Sequence, residues 1–287
     1  MKTILYATDY SENSVAALKY GYAMSTRLKA QLLVIHIFDY PTFFGTKTIE
    51  LLPHLEQDAF KEHTIRLEKF CKKYLERNVD KENVRVETIE DKSIVNGIIS
   101  KANEIEPLLI ITGIKGGSKL RELIMGNTTK YLIENAPCPV LTIPSDTSYN
   151  EIKTIVYATD FEEEDLGALN KLIEIAKPLN AKIKIVHISS LGESIGAGQK
   201  KHIEDKIHKH IDYTNLELDI LYSDSIFREL KIYFRNTNAD IISMLERKSN
   251  DFTSKMFHRD LVKRMESYGR IPLISFNAKN YGIFHLE

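Results

Sequence analysis

The chain contains no tryptophan and only two cysteines, Cys71 and Cys138, in 287 residues. Two thiols exclude a disulfide-built scaffold and point to a reducing compartment, so a cytoplasmic location is expected. It has no excess of either charge: 39 basic residues stand against 40 acidic ones, a net charge of −1. The balance argues against a general nucleic-acid surface, which carries a basic excess. No apolar run approaches the roughly 18–20 residues needed to cross a bilayer. The stretch MKTILYATDY is too short in apolar residues for a signal peptide and meets Asp9 early. Neither nucleic acid nor membrane is therefore an expected partner. Paired-Cys metal spacing, HExxH and the GxxxxGK[ST] phosphate loop are all missing. No G-x-G-x-x-G follows a first strand, which disfavours a nicotinamide dehydrogenase.

What is present is a repeat. Residues 2–10 read KTILYATDY and residues 153–161 read KTIVYATDF. The match runs without a gap at an offset of 151, aligning Ala17-Leu18 with Ala168-Leu169, Ala30 with Ala181 and His36-Ile37 with His187-Ile188. Over residues 1–40, 14 of 40 positions are identical, against about one in twenty for unrelated sequence. The length suggests two domains. The repeat makes them one unit used twice, 1–146 and 151–280, with the seam in the polar stretch PSDTSYNE.

Each unit alternates strand and helix. In the first, strands are expected at 3–8, 32–38, 84–89, 108–112 and 139–143, and helices at 11–28, 54–77, 94–105 and 128–135. Leu32–Phe38 and Leu108–Thr112 are nearly continuous apolar runs, as in strands buried on both faces. This is an α/β pattern: two Rossmann-like domains, each a five-stranded parallel sheet with helices on both faces. Ligands in such sheets bind beyond the carboxyl ends of the strands, where the strand order reverses. The second unit is 19 residues shorter between its repeated His and Ser (His187 to Ser225, against His36 to Ser93). Its second helix, at 199–213, should be short.

After the fourth strand Gly113, Gly116 and Gly126 form a G-x2-G-x9-G pattern followed by Asn127 and Thr128. Glycines past a strand end permit positive φ and close backbone approach to a ligand. Gly126-Asn127-Thr128 opens a helix whose free amides favour an anion such as phosphate. Asp9, at the tip of the first strand, faces the same edge. It can accept from a ribose, help hold a metal on phosphates, or cap the helix that follows. Lys115, Lys119 and Arg121 can screen phosphate charge. In the second unit Leu245, Lys248 and His258 or Arg259 stand where the glycines should be, and no glycine occurs between Gly198 and Gly269. Side chains there should block close backbone approach, so the second unit is not expected to bind nucleotide in the same way. The basic residues Arg247, Lys248, Lys255, Arg259, Lys263 and Arg264 alternate with acids and read as a solvated amphipathic face. His36 and His187 read as satisfied core or rim histidines, His202, His208 and His210 as a solvated helix face, and Cys138 as packing.

The ATD start, the apolar strand ending in His-Ile, the glycine spacing and the APCPVL strand (Ala136–Leu141) together resemble the universal stress protein family, twice in tandem. The resemblance implies an adenine-nucleotide-alpha-hydrolase-like fold. It implies that ATP, AMP or another adenine nucleotide is held by Ala7, Asp9 and Ile37 at the base, and by Gly113, Gly116, Gly126, Asn127 and Thr128 at ribose and phosphates, with Mg²⁺ on the phosphates. The family usually has Ser or Thr where Asn127 stands; the Asn127 amide can still donate. The resemblance also implies a stress-response role, ordering of the 113–127 loop by nucleotide, and an unidentified protein partner. It further implies pairing of 139–143 with 271–276 as an intramolecular pseudo-dimer, with room for a homodimer. No dedicated catalytic or metal residue is nominated. Only Asp9 offers a base for ATP hydrolysis, so a binding protein is favoured over a slow ATPase. A nucleotide-independent interaction scaffold is the alternative of another class.

Overall fold

The computed structural model describes residues 2–39, 52–75, 83–115, 126–190, 192, 197–247 and 271–281. The first half runs β1 (Thr3–Ala7), α1 (Glu12–Leu28), β2 (Gln31–Phe38), α2 (Leu52–Tyr74), β3 (Val84–Glu90), α3 (Ile94–Ile105), β4 (Leu109–Ile114), α4 (Asn127–Asn135) and β5 (Val140–Pro144). The second runs β6 (Thr154–Ala158), α5 (Glu163–Leu179), β7 (Lys182–Ser189), α6 (Ala197–His210), β8 (Leu216–Tyr222), α7 (Ile226–Asn236), β9 (Ile241–Glu246) and β10 (Leu273–Asn277), closing on a 3-10 turn, Ala278–Asn280. The expected elements are present within a residue or two at most ends. The 14-residue α6 is indeed shorter than the 23-residue α2.

The ten described strands form one sheet in the order β3-β2-β1-β4-β5-β10-β9-β6-β7-β8. Within each half all pairs are parallel. The halves meet at one antiparallel pair, β5 with β10, where Leu141 lies opposite Ile274. The order reverses between β1 and β4, and again between β6 and β9.

Burial follows from the apolar runs. β1, β2 and β4 are covered on both faces: Ile4, Tyr6, Leu32, Val34 and Ile111 face one layer, and Leu5, Leu33, Ile35 and Ile110 the other. The first layer contains α1, α2, α5 and α6; the second contains α3, α4 and α7. Helix α1 presents Ser14, Ala17, Leu18, Gly21, Met24, Ser25 and Leu28 inward, the i, i+3, i+4 spacing of one helix face. Its small residues bring it close to the sheet: a β-carbon on Gly21 would stand 3.1 Å from Ile111 Cδ1. Helix α3 begins at Ser93, whose Oγ accepts from the Asn96 amide at 3.3 Å. It stops at Glu106, in the left-handed region (φ 45°), immediately before Pro107, as that proline dictates. Burial raises the thiols of Cys71 and Cys138 to about 12, which fits packing rather than redox chemistry.

Candidate nucleotide site and its counterpart

Strand register brings the nominated residues to one edge. Tyr6 lies beside Val34 on one side and Ile111 on the other. Three residues on, Asp9 is therefore level with Ile37 and Ile114, where the strand order reverses. Ala7 is half-buried at the end of β1 and Asp9 is exposed beyond it. One Asp9 oxygen accepts the Ser11 amide at 2.9 Å, an Asx turn leading into α1. The N-cap of α1 is Ser11, without a side-chain cap bond, so Asp9 orders the turn before the helix rather than capping it, and Asp9 is exposed. Ile37 is buried on the α3 side, where its Cδ1 lies 3.0 Å from the position a β-carbon on Gly97 would take. The part of Ile37 that reaches the edge is its backbone.

The glycines behave differently from expectation. Among the described residues no glycine has positive φ. Gly113, inside β4, is required for packing: a β-carbon there would stand 2.8 Å from the Asn13 carbonyl oxygen and 3.3 Å from Ser14 Cα. The absence of a side chain at Gly113 admits the first turn of α1. Gly126 precedes α4 in extended conformation (φ −70°, ψ 156°), with no side-chain cap. Among the described residues a β-carbon there would meet nothing within 4 Å. No described side chain covers the N-terminus of α4, and Gly126 and Asn127 are exposed. Thr128 is half-buried, and Thr129 below it pairs its hydroxyl with Thr112 at 3.2 Å. The first amides of a helix have no intrahelical acceptor, so α4 presents donors and a positive dipole end to this edge. Gly116, Lys119, Arg121 and the rest of the connection from 116 to 125 lie outside the described residues. Lys115, exposed, is the last residue before it.

An aromatic wall that the motifs did not announce flanks the edge. Tyr10 adopts φ 63° and turns its ring onto His36 (centroids 4.3 Å apart), with the Arg66 guanidinium carbon 4.4 Å from the Tyr10 ring centroid. His36 Nδ1 lies 2.9 Å from the Thr8 carbonyl oxygen. A carbonyl only accepts, so Nδ1 carries the proton. Burial, reinforced by His63 and Arg66, lowers the His36 pKa; its bond to Thr8 and the charge of Asp9 oppose the shift. The second half repeats this wall: Phe161 (φ 64°) packs on His187 at 4.6 Å, and His187 Nδ1 reaches the Thr159 carbonyl at 2.8 Å. Both histidines are satisfied rim residues, as the sequence suggested.

Beyond the wall the halves part. Ile155 pairs with Ile241 as Ile4 pairs with Leu109, which sets Leu245 at the place of Gly113 and Arg247 at the place of Lys115. Leu245 is 6% exposed and fills the space. Arg247 is not on a solvated face. Its guanidinium lies 3.2 Å from Asp160, the counterpart of Asp9, 2.8 Å from Asp165 and 3.6 Å from Glu164. Asp165 also accepts from Tyr157 Oη at 2.6 Å and from the Glu162 amide at 2.9 Å. An internal cation thus occupies the second edge. The offset of 132 residues linking Lys115 to Arg247 was visible in the aligned repeats; the reach of the side chain back to Asp160 was not. The remaining basic residues of that group, Lys248 to Arg264, lie outside the described residues. Ser194, in a G-x-S-x-G spelling at Gly192–Gly196 between β7 and α6, also lies outside them. No set of three His, Cys, Asp or Glu side chains able to hold a metal occurs among the described residues, and no described helix is long and apolar enough to cross a membrane.

Comparison with known proteins agrees with this architecture. Two universal stress proteins of Methanocaldococcus jannaschii are similar to the chain. One is 25% identical over 146 residues, covering 50% of this chain and 81% of that protein. The other is 24% identical over 157 residues, covering 51% and 97%. The crystal structure of a universal stress protein from Archaeoglobus fulgidus superposes at TM-score 0.65 and 16% identity, over 96% of this chain and 98% of that one, a likeness of fold. The model of the universal stress protein family matches residues 1–144, and the chain belongs to that family.

Proposed function

We propose that the first half binds an adenine nucleotide, ATP or a related species, as part of a stress response. The second half serves as a structural or interaction-mediating unit, the two joined as a pseudo-dimer through β5 and β10. The observation that carries this is the open N-terminus of α4 at Gly126, on the same sheet edge as Asp9 and the end of β2. Phosphates fit amides that lack an intrahelical acceptor, and among the described residues no side chain caps them. The base and ribose would lie toward Ala7, Asp9 and the Ile37 backbone. Asp9 is the one carboxylate of the set, so Mg²⁺ would take its other donors from phosphates and water. Binding is the activity in this reading, and hydrolysis is not required for it.

The test is mass spectrometry of gently denatured protein together with calorimetric titration of ATP into the full chain. Co-purifying or titratable adenine nucleotide supports the reading; its absence from both favours a nucleotide-independent scaffold. Gly126→Val localises the site, because the fold has room for the side chain there and the phosphates would not. Gly113→Val does not discriminate, since it collides with Asn13 whatever binds.

A further inference from the structure

The C-terminal end of α4 is held by the other half of the molecule. The last carbonyls of a helix have no intrahelical donor. Here the Glu134 carbonyl accepts from Asn277 Nδ2 at 2.7 Å and the Ala136 carbonyl from Asn280 Nδ2 at 2.8 Å. Asn277 is 6% exposed, at the end of β10. Its Oδ1 accepts the Lys279 amide at 3.1 Å, which fixes the amide orientation so that Nδ2 faces α4. The turn bearing both asparagines is anchored in its own half. Tyr281 packs on α5 so closely that a β-carbon on Gly167 would lie 3.1 Å from Tyr281 Cβ. Two residues before Gly167 is Asp165, the main partner of Arg247.

We infer that Asn277 and Asn280 are positioning residues for the phosphate end of α4, so that the second half sets nucleotide affinity in the first. The inference rests on the proposed nucleotide reading. Its physical basis is rigidity. The helix has 9 residues, about 13 Å at 1.5 Å per residue, and a rigid rod held at one end has its other end placed. The second half, with its own edge filled by Arg247, then acts on the first through the carboxyl end of the helix whose amino end meets phosphate. Binding linkage is reciprocal: nucleotide in the first half should tighten the β10 turn in the second.

The experiment uses the full chain and two variants, Asn277→Asp, which sets a carboxylate against the Glu134 carbonyl, and Asn280→Ala. ATP and adenosine affinities are measured by calorimetry, and amide hydrogen exchange is followed at 127–135 and 273–281. The expected result is faster exchange in α4 and ATP affinity lower by at least about fivefold, the low end of ordinary coupling between sites. Adenosine, which has no phosphate to meet α4, should bind unchanged, a split that general destabilisation would not produce. In the wild type, ATP should slow exchange at 273–281. Wild-type ATP affinity in both variants overturns the coupling alone. Equal losses for ATP and adenosine overturn it in favour of a merely structural role. A wild type that binds no adenine nucleotide overturns the nucleotide reading and the coupling with it, whatever α4 exchange does.

Discussion

At the end of β1, Asp9 is exposed and, among the described residues, holds the amide of Ser11; at the end of β6, Asp160 holds the guanidinium of Arg247. The strands, the histidine bonded to the strand-end carbonyl and the aromatic residue at positive φ are the same in both halves. Among the described residues, Leu245 in place of Gly113 and Arg247 in place of Lys115 distinguish the second edge from the first. The lesson is that the parallel sheet and its packing tolerate either state of the edge. The α1 and α5 first turns differ accordingly. Tyr6 donates to the Ser14 carbonyl, whereas Tyr157 donates to the Asp165 carboxylate that Arg247 also binds.

The sharpest way to break the comparison is to remove the cation. Arg247→Ala leaves Asp165, whose side chain is 9% exposed, without its charge partner. Breaking a buried pair costs about 3–5 kcal/mol; with Asp160 and Glu164 about a third exposed, the lower end, about 3 kcal/mol, is expected. The urea midpoint of the full chain should fall accordingly, whereas Lys115→Ala, at the matching but exposed position of the first half, should leave it unchanged. Equal midpoints for the two variants would mean that Arg247 is a surface ion pair and the two edges are alike.

Next in size is Gly113→Ala. Its new β-carbon would overlap the Asn13 carbonyl, and crowding of this kind costs about 1–3 kcal/mol. Measured stability equal to wild type would show that α1 shifts freely, and would return Gly113 to a ligand-related role. Gly126→Val reads the other way. The fold has space for it, so stability should hold, while ATP affinity should drop about tenfold or more, equivalent to at least about 1.4 kcal/mol of binding. A variant that binds ATP as tightly as wild type would place the phosphates away from α4.

The repeat, the parallel sheet implied by alternating elements and the positions of Asp9, Gly126 and Thr128 on one edge were all legible in the sequence, because apolar periodicity and a gap-free offset carry them. Three things were not. The reason for Gly113 lies in a backbone that approaches from 100 residues away in the chain, at Asn13, which no local pattern encodes. Arg247 reads as part of an alternating charged stretch, because charge alternation in sequence does not say which side chains the sheet edge turns inward. The amide contacts of Asn277 and Asn280 with α4 join residues whose numbers differ by 143 and 144, and only the antiparallel junction of β5 and β10 brings them together.

The smallest expected effect concerns acid. His36 is faced by the Thr8 carbonyl and the Tyr10 ring, by His63 and Arg66 from α2, and by Asp9 at the end of β1. Burial, with His63 and Arg66, sets its folded pKa below the unfolded value of 6.5. The unfolded chain therefore takes up the proton first as pH falls, and the folded state loses stability as the pH drops below about 6.5 until the folded His36 itself titrates. His36 is only half-buried, so solvent limits the size of the loss. His36→Gln can keep a donor toward Thr8 and cannot titrate. The urea midpoint of wild type should fall more between pH 7.5 and about 5.5 than that of His36→Gln, with His187→Gln measured alongside as the matching substitution in the other half. Parallel curves for wild type and His36→Gln would remove His36 as a source of acid sensitivity and leave the aromatic walls of the two halves equivalent.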